Sequence, residues 1–182
     1  MFAITPLKTD TIYLLTHAEA EGDTLTPDGQ AQAQALPSRV AEFEIDGLFT
    51  SPSPEVRATL APLAEATGLA VMAVPDLRDH RLSLQGNRPD DPMMEERFKM
   101  RAKARPGGEA FNAASSRLRQ AILSISRRPL LAPLLATHPG LLASLMSQRD
   151  KTFGYAEFQA MPKAGLWKLT HRNGAPTKID AL

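Results

Sequence analysis

Four side chains in this sequence stand where chemistry is done rather than where a core is filled. His17 closes the apolar run Ile12-Tyr13-Leu14-Leu15, and His138 closes another over 130–137; each precedes the start of a helix. Apolar runs rich in β-formers are the buried strands of parallel sheets. The carboxyl ends of such strands are where open α/β sheets bind their ligands. A lone histidine at a strand end is ordinarily structural, but two at equivalent ends, each ahead of a helix start, point to an anion site. Arg57 adds to the pattern. It sits in the first turn of a helix, the wrong end for its charge in the helix dipole, a placement that makes sense beside a bound anion. Asp79, in Asp76-Leu77-Arg78-Asp79-His80, offers a carboxyl group, with His80 beside it as a rival proton donor. Charged loop residues are ordinarily exposed, so this segment reads equally well as a solvated loop.

The elements that must position these groups are legible in outline. Thr26 and Pro27 are a good N-cap and first helical residue, and Asp28 suits the first turn, so a helix is expected to run to about Phe43. Gly29 inside that turn costs helix propensity and calls for a reason. A short strand is expected over 45–50, broken by Ser51-Pro52-Ser53-Pro54. The helix after it carries Val56, Leu60, Leu63, Ala64 and Thr67 on its inner face and is closed by Gly68. A third strand follows over 70–74, and this alternation predicts a parallel sheet with right-handed crossovers. The pattern fades over 83–108, with a loop at 87–92 and a short basic helix over 95–105. A long loop of this kind is often a lid, and its cations either face solvent or steer an anionic substrate. Phe111, Ala114, Leu118, Ala121, Ile122 and Ile125 mark a long core helix. A last strand is expected over 165–170, with His171 on the surface and Asn173-Gly174 as a turn.

Composition excludes several classes of function. Hydrophobic residues make up 43% of the 182, enough for one cored domain, and 21 basic against 20 acidic residues give no general pull toward nucleic acid or an anionic membrane. With no cysteine there is no disulfide, thiol nucleophile or cysteine metal site. The first residues lack the basic start and apolar centre of a signal peptide, which fits a cytoplasmic protein. The leucine-rich stretch 129–146 is interrupted by Pro133, His138 and Pro139, and a spanning helix needs about 20 mainly apolar residues. No glycine-rich nucleotide loop follows a strand, and no His-Glu-x-x-His spacing or carboxylate cluster is present, so neither a nucleotide cofactor nor a metal is expected. The oligomeric state is left open.

Taken together, the short motifs resemble those of the histidine phosphatase superfamily, the phosphoglycerate-mutase-like enzymes. Thr16-His17-Ala18 resembles that family's Arg-His-Gly, with threonine for arginine and alanine for glycine. Leu25, Thr26, Gly29, Gln32, Ala33 and Leu36 meet its Leu-Thr-x-x-Gly-x-x-Gln-Ala-x-x-Leu pattern in register. Ser53-Pro54-Glu55-Val56-Arg57-Ala58 resembles Ser-Pro-x-x-Arg-Ala, and Leu77-Arg78-Asp79 stands where Leu-x-Glu is common. Gly108-Glu109-Ala110 is similar to Gly-Glu-Ser, and Thr137-His138-Pro139-Gly140 to Ser-His-Gly-Gly.

The resemblance implies an α/β fold: a three-layer sandwich with a mostly parallel central sheet, as one domain over 1–182 with a small lid-like insertion at about 83–108. It further implies a phosphomonoesterase working through a phosphohistidine, with a small phosphorylated molecule or free phosphate as ligand and no cofactor. His17 would be the nucleophile, His138 and Arg57 would hold the phosphate, and Asp79 would be the acid, with His80 and Glu109 as rivals for that role. Thr16 would stand in the phosphate pocket as one neutral hydroxyl where a planar, bidentate guanidinium is expected. An arginine that stabilises the phosphoryl transition state contributes roughly 10³–10⁵ in rate, so turnover would be weakened unless Arg78, Arg81 or the basic insertion compensates. The alternative is a catalytically inactive descendant that binds an anionic ligand or serves as an interaction module. A phosphoglycerate mutase is less expected, because the full arginine set and the long inserts of those enzymes are missing.

Overall fold

Strict alternation along β1 (Thr11–Thr16) divides the molecule into layers. Ile12 and Leu14 face one apolar cluster, while Tyr13 and Leu15 face another. The computed structural model describes residues 9–83 and 92–182. After β1 come a two-residue ladder, β2 (Ala20–Glu21) with β3 (Thr24–Leu25), then α1 (Pro27–Gln34) and α2 (Leu36–Val40). Next are β4 (Gly47–Thr50), α3 (Pro54–Thr67) and β5 (Val71–Ala73). The chain continues with α4 (Pro92–Lys99), α5 (Phe111–Ser126), β6 (Pro133–Thr137), α6 (Pro139–Arg149) and α7 (Tyr155–Gln159). It ends in the hairpin β7 (Leu166–Arg172) and β8 (Ala175–Ala181).

Six strands form one sheet in the order β5-β4-β6-β1-β7-β8. The first four are parallel, β7 runs antiparallel to β1, and β8 runs antiparallel to β7. Helices α5 and α6 pack on the face of Ile12 and Leu14, and α2 and α3 on the face of Tyr13 and Leu15. This is the three-layer α/β/α sandwich with a mostly parallel sheet that the sequence led us to expect. A parallel sheet covered on both faces needs apolar side chains on both, which is why β1, β4 and β6 are buried nearly throughout.

Local departures have local causes. The helix expected to continue from Pro27 to Phe43 is broken after Gln34, with α2 beginning one residue before Pro37. Proline has no N–H to give and its ring crowds the preceding turn. The basic helix expected over 95–105 starts earlier and stops at Lys99, and the loop expected at 87–92 lies largely outside the described residues. The last strand is longer than expected and is joined by β8, which the proline and lysine of its sequence concealed. Asn173 (φ 52°) and Gly174 (φ 76°) turn this hairpin, both in the left-handed region that tight hairpins demand. His171 is a correction to the sequence reading. It is buried, and its Nδ1 accepts the Gly174 N–H at 3.2 Å, so the ring closes the turn instead of facing water. Burial holds this imidazole below its ordinary pKa, against a weaker upward pull from Asp10.

Candidate active site

Strand register brings the two histidines together. Thr16 is paired with Thr137 across the parallel β1–β6 ladder, so the residues that follow, His17 and His138, leave the sheet side by side. The His17 N–H prolongs the ladder by donating to the Thr137 carbonyl at 3.0 Å. The two rings meet edge to face with centroids 5.4 Å apart. The neighbouring strand β4 ends one step away, where Ser51 N–H donates to the Ala136 carbonyl. Thr137 Oγ1 donates to the Leu77 carbonyl at 2.8 Å and pins the turn that carries Asp79 and His80. Four parallel strand ends thus converge on one cavity of about 500 Å³, lined by His17, Glu55, Asp79, His80, His138 and Lys163, among others.

His17 is held in one tautomer. Its Nδ1 lies 2.8 Å from the Ala18 carbonyl, which can only accept, so Nδ1 carries the proton and Nε2 keeps its lone pair. The segment after it is clamped by the motif residues. The Ala18 N–H donates to Thr59 Oγ1 at 2.9 Å, and the Glu19 N–H donates to Gln32 Oε1 at 2.9 Å. The Thr26 N–H donates to the Glu19 carbonyl. Gly29 now has its reason: a Cβ there would lie 1.9 Å from that same carbonyl oxygen. Ala18 fits where the family motif has glycine because its methyl is buried among Leu25, Ala33 and Ala164.

His138 caps α6 and is almost fully buried. Its Nε2 is 3.0 Å from Ser51 Oγ, and its Nδ1 is 3.6 Å from Glu55 Oε1. Burial is the strongest influence on its pKa and holds it below the ordinary histidine value. Asp79 and Glu55 pull upward, while His17 and Arg117 add to the depression. His138 is therefore a neutral ring near pH 7. Asp79, one-third exposed, accepts the His80 N–H through Oδ1 at 2.9 Å, and both residues press on α6 where Gly140 leaves room. A Cβ on Gly140 would come within 2.9 Å of Asp79 Oδ1 and 3.0 Å of His80 Nδ1.

The structure brings His17, His138 and Asp79 into one cavity, but not Arg57 or Thr16. Arg57 is exposed in the first turn of α3 and is not among the residues that line the cavity. Thr16 is fully buried, its hydroxyl accepting the Gly165 N–H at 3.0 Å and donating to the Pro162 carbonyl. Glu109 stands apart from the cavity, ion-paired with Arg117 at 2.7 Å. Burial works to raise its pKa, but the hydrogen bond and charge of Arg117, helped by Arg78 and His80, outweigh it and keep this carboxylate ionised. The cations expected to compensate for Thr16 are engaged elsewhere. Arg78 pairs with Asp76 and Glu109, Arg81 donates to the Ser83 carbonyl, and buried Arg97 donates to the carbonyls of Leu82 and Lys103. Arg101 donates to the Ser147 carbonyl, and Arg105 pairs with Glu96. Among the described residues the cation lining the cavity is Lys163.

Sequence reasoning missed Glu55, Ser51 and Lys163. Glu55 is buried in the cavity wall, and its Oε2 has no hydrogen-bond partner among the described residues. The signal for it was present. The chain has two Ser-Pro pairs, and Ser-Pro-x-x-Arg-Ala counted from Ser51-Pro52 places Glu55, not Arg57, in the arginine position.

A model of the histidine phosphatase superfamily, branch 1, matches residues 12–180. A protein of Serratia proteamaculans described as probable phosphoglycerate mutase GpmB is 29% identical over 166 residues, covering 80% of this chain and 77% of that protein. Its counterpart in Klebsiella pneumoniae is 28% identical over 80% of this chain and 77% of its own length. Among solved structures, mycobacterial glucosyl-3-phosphoglycerate phosphatase superposes with a TM-score of 0.72 at 22% identity, over 94% of this chain and 97% of that one. A phosphoserine phosphatase mutant from Entamoeba histolytica, in complex with phosphoserine, gives 0.72 at 16% identity over 94% and 96%.

Proposed function

This chain belongs to the histidine phosphatase superfamily, branch 1, and we propose that it acts on a small phosphorylated molecule by passing the phosphoryl group through His17, at a rate held down by the missing guanidinium groups. The observation that carries this reading is the tautomer of His17: Nδ1 is tied to the Ala18 carbonyl, and the Nε2 lone pair is available at a 500 Å³ cavity. In the first step Nε2 bonds to phosphorus, the ester P–O bond breaks, and the leaving alkoxide takes the proton of Asp79. In the second, water attacks the phosphohistidine and gives a proton to the Asp79 carboxylate, returning His17 and inorganic phosphate. Lys163 supplies positive charge at the cavity, and neutral His138 supplies at most one donor. Phosphoryl transfer depends on cations around the equatorial oxygens, and this site offers few. The proposed substrate class matches the phosphorylated acids in the names of the relatives.

A second reading, a catalytically inactive member of the fold that serves as an interaction module, is favoured by Glu55. A buried carboxylate beside the nucleophile repels a phosphate dianion. The two readings separate in one assay: inorganic phosphate released from a panel including phosphoglycerates, phosphoserine and an aryl phosphate, by the wild type and by His17→Ala. Release that the His17→Ala substitution abolishes supports the enzyme. Equal, negligible release from both leaves the inactive interaction module.

A further inference from the structure

Glu55 is a puzzle in an anion site and an ordinary residue in a cation site. His17, Glu55 and His138, separated by up to 121 positions in sequence, each present one ligand atom within 4.8 Å of the other two. From this juxtaposition we propose that the cavity floor binds one divalent transition-metal ion of the zinc class through His17 Nε2, Glu55 and His138 Nδ1. The assignment goes beyond phosphoryl transfer at His17 and does not rest on it.

Hydrogen bonding around the two rings selects the ligating atoms. Metal-bound histidines almost always use the other ring nitrogen to donate to a carbonyl, carboxylate or similar acceptor, which fixes the tautomer. Both rings here have that arrangement already. His17 Nδ1 donates to the Ala18 carbonyl, leaving Nε2 as the lone pair. Ser51 Oγ donates its own proton toward Ser53 Oγ, so it accepts from His138 Nε2 at 3.0 Å, leaving Nδ1 as the second lone pair. That Nδ1 faces Glu55 Oε1 at 3.6 Å, too far for a hydrogen bond. Two acceptors therefore confront each other in a buried wall, with Glu55 Oε2 unpartnered beside them. A buried carboxylate left in this state is costly unless a cation completes it.

The dimensions suit a small ion. Around a tetrahedral zinc with bonds of about 2.0–2.2 Å, neighbouring ligand atoms lie about 3.3–3.6 Å apart. The Glu55–His138 pair, at 3.6 Å, is already close to this spacing, and a small shift of the partly exposed His17 ring closes the remainder. Two imidazoles select zinc, cobalt, nickel or copper over magnesium or calcium, which prefer oxygen ligands. Two histidines and a glutamate, with the fourth position open to a cavity, is a set that catalytic zinc uses.

The test uses untagged full-length protein, stripped with chelator and dialysed, titrated with Zn²⁺ by calorimetry and with Co²⁺ by visible absorption. The expected result is one equivalent of Zn²⁺, a rise in Tm on loading, and intense d–d bands for Co²⁺ that Zn²⁺ abolishes. Glu55→Gln and His17→Ala each weaken the affinity by about 100-fold or more, since removing even an outer-shell partner costs about 10–100-fold. Glu55→Gln is isosteric, and should it misfold, His17→Ala at the cavity surface carries the comparison. Absence of stoichiometric Zn²⁺ binding by the wild type overturns the proposal. So does wild-type affinity in the folded variants. Neither readout involves phosphate release, so the metal site and the phosphatase reading stand or fall separately.

Discussion

The two residues that replace guanidinium groups do different things. Thr16 is a structural residue: its hydroxyl joins β1 to the Pro162–Gly165 segment through two backbone partners. Arginine at this fully buried position has no room, so Thr16→Arg is expected to cost stability without restoring a phosphate clamp. Glu55 points the other way, because it lines the cavity. Glu55→Arg removes a like charge from the phosphate site and supplies a bidentate cation; phosphate release should rise at least about tenfold, a small part of the roughly 10³–10⁵ that a transition-state arginine contributes. The same substitution should abolish zinc binding, so the two activities move in opposite directions in one variant. Asp79→Asn removes the proposed acid. It should lower kcat by about 10²–10⁴ on an alkyl phosphate and far less on an aryl phosphate, whose leaving group needs no proton. Equal losses on both substrates would mean that Asp79 positions and does not protonate.

Elements position these residues, and their motifs explain more about scaffolding than about chemistry. Thr26 at the cap of α1 and Gln32 within it bond the backbone of Glu19, two residues past His17, and Gly29 leaves room for it. Gly29→Ala must displace that backbone, and urea denaturation should show a loss of about 1–3 kcal/mol, with kcat falling as the His17 segment shifts. This much was legible in sequence as a pattern in register, although its physical reason, a 1.9 Å clash, was not. Of the hairpin β7–β8, the first strand and the Asn-Gly turn were legible, and β8 was not. His171, read as a surface residue, follows Trp167 and Leu169 on the core-facing side of β7 and is buried there. Its pKa is held below the ordinary histidine value of 6.5 by burial. The unfolded chain therefore takes up protons that the folded chain refuses, and stability present above pH 6.5 is lost as pH falls from there through the folded pKa. His138 contributes in the same sense. Thermal melts between pH 7.5 and 5 should show a falling Tm, and His171→Gln should flatten part of that slope while lowering the plateau.

At the scale of the whole molecule, the layers and sheet class were readable because apolar runs and helix caps are local signals. The site was readable only in part, because it is made by register. Thr16 opposite Thr137 sets His17 beside His138, and the ends of β4 and the Asp79 turn close around them. Two strand-end histidines can be seen in a sequence. Which of two Ser-Pro pairs fixes the count to the cavity cannot, and the choice decides between Arg57 and Glu55. Nor does the basic run over 97–105 disclose that its cations are spent on carbonyls and carboxylates of the same region. The central claim, that His17 Nε2 takes the phosphoryl group, has one direct measurement. Protein mixed with an aryl phosphate is quenched in alkali, digested and sequenced by mass spectrometry. The account predicts an acid-labile, alkali-stable phosphate on His17 in the wild type, more of it in Glu55→Arg, and none in His17→Ala. Phosphate release that proceeds without any modification of His17, or that persists in His17→Ala, would contradict it.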